Sequence, residues 1–192
     1  MSPSRPFYTV EAFYVVGRNV VNFQRLEQIL KHLDLLAPIC APSSKLQSEL
    51  NTRKAISERL TLGNAVKKWT EIAYHTGPQR DPQPDNEVIV SLGFVLQWSP
   101  EKLDRLAAEL ESLAQERNRL IHLDFAQLNF EDEAECSALS IRLNAQNDRI
   151  VSVIEVLEAT LTRFQDLARG MASDEMIRKI IGSVNSELKA NG

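Results

Sequence analysis

The stretch Leu103-Asp104-Arg105-Leu106-Ala107-Ala108-Glu109-Leu110-Glu111-Ser112-Leu113-Ala114-Gln115-Glu116-Arg117-Asn118-Arg119-Leu120-Ile121-His122 carries an apolar row that ends in polar residues. Leu103, Leu106, Leu110 and Leu113 recur at spacings of three and four, which is the inward face of a helix. The next place on that row belongs to Arg117. A guanidinium keeps its charge and is rarely buried alone. Arg117 therefore meets an anion or a carboxylate, or the helix ends in a polar cleft. Asn118 and His122 stand four apart, on one face of such a helix. A fixed cation, an amide and a titratable imidazole thus share about a turn and a half.

Working outward, Ser99-Pro100-Glu101 is a good start for this helix: a capping hydroxyl, a proline in the first turn and then an acid. The helix runs to about Leu123. Asp124 to Glu135 reads as an acidic, solvated connection. From Cys136 the row Leu139, Leu143, Ile150, Val153, Leu157, Leu161, Phe164 and Ala168 predicts one very long helix, broken by Gly170. Gln146 and Asn147 interrupt that row and are expected opposite the polar end of the central helix. A tail, 173–190, reads as a last short helix capped by Ser173.

On the other side, Val88, Val90, Leu92, Phe94, Leu96 and Trp98 are apolar at every second place. That is a strand period, and it predicts a short β segment near 87–98, with a bend at Gly93. A lone strand is unstable. It must fold on itself as a hairpin or pair with the same segment of a second chain; the alternative is a buried helix. Gly77 to Asn86, with three prolines, reads as an exposed loop, and His75 as a helix-end residue.

The chain opens with a long helix, about Thr9 to Leu36, stopped by Pro38. Its inward row is Phe13, Val16, Val20, Phe23, Leu26, Leu30, Leu33 and Ala37. Another face carries Tyr14, Arg18, Asn22 and Arg25. That face is either solvated or, through Arg18, Asn19 or Asn22, lines a cleft near His122. Glu27 is a candidate partner for Arg117. Pro38 to Ser44 reads as a connection and Ser44 to Ser57 as a short polar helix. Thr61 then caps a further helix with Leu62, Val66, Trp69 and Ala73 inward.

Composition bounds the rest. At 192 residues, 43% hydrophobic and 25% charged, a single soluble domain is expected, 1–192, with its core about 9–168. The fold class is mainly α, a bundle of four to five long helices. A net charge of −4 offers no global basic field for nucleic acid, so any RNA contact is local or shared between subunits. Cys40 and Cys136 form neither a metal spacing nor a disulfide framework. No run spans a membrane, and Met1 to Pro6 lacks the apolar core of a signal peptide. A reducing cytoplasm is the expected location. Phosphate-binding glycine loops, G-x-S-x-G and zinc-ligand clusters are absent, and no metal or other cofactor is expected.

Arg117-Asn118, three residues and then His122, late on an amphipathic helix, resembles the Arg-x4–6-His motif of the HEPN superfamily. As architecture the resemblance covers about Thr9 to Ala168; as motif it covers Arg117, Asn118 and His122. It implies a small all-helical protein of the toxin–antitoxin or phage-defence kind, acting as a metal-independent ribonuclease. It also implies a homodimer that brings two motifs into one cleft, with RNA as substrate and an antitoxin or regulatory protein as a further partner. The residue chemistry agrees. An imidazole, with a reference pKa of about 6.5, suits proton transfer to or from ribose and leaving oxygens. A guanidinium fork grips phosphate oxygens, and an amide one turn away orients the ring. Arg117, His122 and Asn118 are thus the expected catalytic residues, and Arg119, Arg18 and Asn22 the expected RNA contacts. Two other readings remain. Arg117 pairs with Glu27, Glu111 or Glu116 while His122 ends a helix, where the dipole favours its cation. Or the chain is a catalytically silent, HEPN-like dimeric binding or scaffold module.

Overall fold

The computed structural model describes residues 6–74, 89–92 and 98–171. The order of elements is α1 (Phe7–Leu35), β1 (Ile39–Pro42), α2 (Leu46–Glu58), α3 (Leu62–Tyr74), β2 (Ile89–Leu92), α4 (Pro100–Arg119), a π-turn (Leu120–Asp124), α5 (Phe125–Gln127) and α6 (Glu133–Met171). It is a mainly α bundle. The expected loop 77–86, His75, the bend at Gly93 and the tail 173–190 lie outside the described residues.

α1 and α6 form the frame. Tyr8 reaches the carbonyl of Glu131, Arg18 reaches Asn144 and Arg25 reaches Glu158. The numbers rise together, so these two long helices run parallel. α4 runs the other way along α6, since Glu109 meets Arg149 whereas Asp124 meets Arg142. Apolar faces fill the space between: Leu26 and Leu30 from α1, Leu110 and Leu113 from α4, Leu143, Ile150 and Leu157 from α6, all fully buried. Each such side chain contributes about 1.5–3 kcal/mol on leaving water. Trp69 of α3 closes one side and is tilted against Trp98 at 6.1 Å.

Local chemistry sets the boundaries. The Ser99 hydroxyl accepts the Lys102 N–H, with Pro100 in the first turn of α4, as expected. The Thr61 carbonyl takes the Ala65 N–H, the first i→i−4 bond of α3. Arg53 of α2 donates to the carbonyls of Ala37 and Pro38, which tethers the exit of α1. Lys68 of α3 meets the buried Asp34 at 2.9 Å.

Four expectations need correction. The first concerns 87–98: its four described residues are strand rather than helix, and they pair with an earlier part of the same chain. β2 runs antiparallel to β1, in register Ile39 to Leu92 and Pro42 to Ile89. The segment after Pro38 is thus an edge strand, where a proline at the last place removes no interior ladder bond. Second, α6 starts at Glu133, not Cys136, because the Asp132 carboxylate accepts the N–H groups of Ala134 and Glu135. Third, α6 includes Gly170 and extends to Met171. Fourth, Phe13 is not a core residue. It is 37% exposed and stacks on Phe130 at 4.5 Å, with Phe125 edge-on at 6.0 Å. Ala12, Val15 and Asn19 take the inward places instead.

Candidate functional site

The end of α4 is unlike the expected straight helix. After Arg119 the backbone widens into a π-turn, closed by the Phe125 N–H on the Leu120 carbonyl. Leu120, 1% exposed, continues the buried row of Leu113. The extra residue in the turn keeps that anchor while Phe125 swings to Phe13 and Phe130. His122 and Leu123 fall on the outside and are exposed. In a straight α-helix Arg117 and His122 would lie about 140° apart, and a wider turn reduces that angle. π-turns of this sort are frequent where a helix carries function.

Asp124 clamps the turn. Its carboxylate takes Arg119 Nε at 3.2 Å and Arg142 at 2.8 Å, so the turn is tied to α6. Arg119, an expected RNA contact, is therefore already paired, though its side chain is 65% exposed.

Arg117 is half-buried, and its guanidinium donates to Asn118 Oδ1 at 3.1 Å. Among the described residues it has no ion pair with Glu27, Glu111 or Glu116. Glu27 is taken by Lys31 at 2.8 Å. The Glu27 pairing is thus corrected: one turn of α1 satisfies that carboxylate internally. Asn118 and His122 are both exposed, and no hydrogen bond to the His122 ring is present among the described residues.

Next to this sparsely bonded turn lies a densely bonded seam. Asn19, fully buried, donates to the Leu143 carbonyl at 2.8 Å and to Gln146 Oε1 at 2.9 Å. Gln146 in turn donates to Glu116 Oε2 at 2.8 Å. Arg149 grips Glu116 and Glu109, each at 2.7 Å, and reaches the Ser112 hydroxyl at 3.1 Å. Burial pushes the Glu116 carboxyl up, but hydrogen bonds from Gln146, Arg149 and Ser112 and the charge of Arg149 outweigh it. Its pKa is held below the ordinary carboxylate value. Gln146 was expected opposite the end of the central helix and is found there. Glu109, Ser112 and Arg149 were not singled out in the sequence. The signal was present, since Glu109, Ser112 and Glu116 stand three and four apart on one face.

Arg18 and Asn22 belong to the α1–α6 contact. Arg18 bonds Asn144 at 2.8 Å and Asn22 bonds Asn147 at 2.8 Å. The structure thus brings Arg117, Asn118 and His122 onto one helix end, with Arg119 beside them. It places Arg18 and Asn22 against α6 with no bond to α4 among the described residues.

No family model, curated protein or solved structure matches this chain. Among the described residues, no group of His, Cys, Asp or Glu is placed to hold a metal ion. No helix among them is long and apolar enough to cross a membrane.

Proposed function

We propose that this chain is a metal-independent endoribonuclease of the HEPN toxin and defence type, working as a homodimer in the cytoplasm. One observation carries the reading: among the described residues the Arg117 guanidinium bonds only its neighbour Asn118, one short turn from an exposed His122. A half-buried arginine without a carboxylate is a ready phosphate site. His122 takes the proton from a ribose 2′-hydroxyl, or returns one to the departing 5′-oxygen; two copies in a dimer cleft supply both roles. The 2′-oxygen forms a bond to phosphorus as the bond from phosphorus to the 5′-oxygen breaks. Arg117 neutralises the charge that builds on the phosphoryl oxygens. The products are a 2′,3′-cyclic phosphate and a 5′-hydroxyl. Asn118 holds the Arg117 fork, and an antitoxin or regulatory protein would act by covering this end.

The test is incubation of the purified chain with a mixed RNA pool in the presence of a chelator. Cleavage to cyclic phosphate ends, with DNA left intact for want of a 2′-hydroxyl, is expected. No cleavage of any RNA by the wild type would remove the reading. The second reading, a silent dimeric binding module, has its own support. Leu123, beside His122, is 50% exposed and apolar, which suits a protein partner at the same place.

A further inference from the structure

Apart from its core face, α1 carries a second apolar stripe. Phe7, Val10, Tyr14, Gly17 and Val21 recur at alternating spacings of three and four, the seam of a helix pair. They point away from the bundle: Phe7 is 81% exposed, Val10 52%, Tyr14 66% and Val21 60%. Gly17 is exposed as well, and a Cβ built there would meet nothing within 4 Å. One edge of the stripe carries Glu11 and, seven residues on, Arg18. Glu11 makes no ion pair among the described residues. Arg18 commits one terminal nitrogen to Asn144 and Asn19, and its guanidinium carbon lies 6.0 Å from the centre of the Tyr14 ring, at the edge of the stripe.

We infer that this stripe binds the same stripe of a second copy of the chain, antiparallel, across a twofold axis. Self-pairing is what the pattern fits. With the axis between residues 15 and 16, Tyr14 lies over Gly17 of the second copy, a large knob on the one place without a side chain. Val10 then meets Val21 of the second copy, and Glu11 comes within reach of the opposing Arg18. Twofold symmetry repeats each contact. Close approach of two helix backbones needs a residue without a side chain, which Gly17 provides. Phe13 borders the stripe on the edge away from Glu11 and Arg18. Through Phe125 it marks the side on which the π-turn lies, and an antiparallel pair puts that side of both copies on one flank. The pairing rests on the homodimer of the proposed function and adds the face that forms it, so dimer formation and RNA cleavage are read separately.

The test is sedimentation equilibrium of the full chain from about 1 to 100 μM, a range set by the small area of a four-turn helix pair. A dimer is expected. Val10→Glu should leave a monomer of unchanged helicity. Gly17→Leu should raise the Tm of the monomer, since leucine is the better helix former, yet abolish the dimer by filling the hole. Glu11→Arg and Arg18→Glu should each weaken the dimer by about tenfold, because two symmetry-related pairs turn repulsive. The double reversal should restore it. A monomeric wild type at the highest concentration overturns the inference. So does a dimer that persists in Val10→Glu and Gly17→Leu, or a double reversal that fails to recover affinity.

Discussion

Glu116 and Arg117 are neighbours in the chain and opposites in the fold. Glu116 is engaged by three side chains, Gln146, Arg149 and Ser112, and joins α4 to α6. Arg117, among the described residues, bonds only Asn118. A polar group whose lone pairs are all taken serves position; one left nearly unbonded in a half-buried place keeps its capacity for a ligand. The seam and the π-turn are in this sense complementary, the first fixing the helix from which the second projects.

The largest effect expected from that contrast lies at His122. His122→Ala should lower RNA cleavage by about 10²–10⁴-fold, the usual worth of a positioned acid–base group. Its Tm should stay near the wild type, because the ring is exposed. Unchanged cleavage in that variant would make the turn a bystander. Arg117→Lys comes next. It keeps the charge but loses the fork, so activity should drop by about tenfold or more, since about 1.4 kcal/mol of lost phosphate binding is a factor of ten. Full activity would show that one-point charge suffices.

The seam should respond in the other currency, stability. Glu116→Ala strands the Gln146 amide and the Arg149 fork and should cost about 2 kcal/mol in urea unfolding. Arg117→Ala, on the next residue, should cost within about 0.5 kcal/mol. Similar losses at both positions would erase the distinction. Acid sharpens it further. The folded-state pKa of Glu116 lies below the ordinary value, so its contribution is complete above that value and fades as pH falls through the lower one. Unfolding followed downward from about pH 5 should therefore show a loss of stability that Glu116→Gln largely lacks. The smallest effect should be at Arg119. Arg119→Ala leaves Asp124 paired with Arg142, and a surface ion pair is worth about 0–1 kcal/mol.

Much of the helical plan was legible because burial imposes a period on the sequence. The leucines of α4 stand where their spacing put them, and Ser99-Pro100 opens that helix as its chemistry requires. What escaped has physical reasons. The partner of β2 was hidden because β1 follows Pro38, ends in Pro42 and has only four residues, too short to show alternation. Asp132 capped α6 three residues earlier than the apolar row suggested, since caps are set by one side chain and rows by many. The π-turn left no trace, because its cause is tertiary: Leu120 must stay in the core while Phe125 reaches Phe13 and Phe130. Phe13 looked like core for the same reason, an apolar residue whose partners lie more than a hundred residues away.

That separation matters while the chain is being made. Of the described elements, α1 leaves the ribosome first and its frame partner α6 last. Asn19 finds Gln146 across 127 residues of sequence. Until then the apolar side of α1 has only α2, α3 and α4 to cover it, and Glu116 has neither of its long donors. The contacts that join α1 to α6 are of high sequence separation and close only after α6 has been made. The seam beneath the Arg117 turn is completed only after Arg149 has emerged. A nascent or prematurely ended chain thus carries Arg117, Asn118 and His122 on a helix end without its support, and synthesis itself delays the moment at which that end takes its final form.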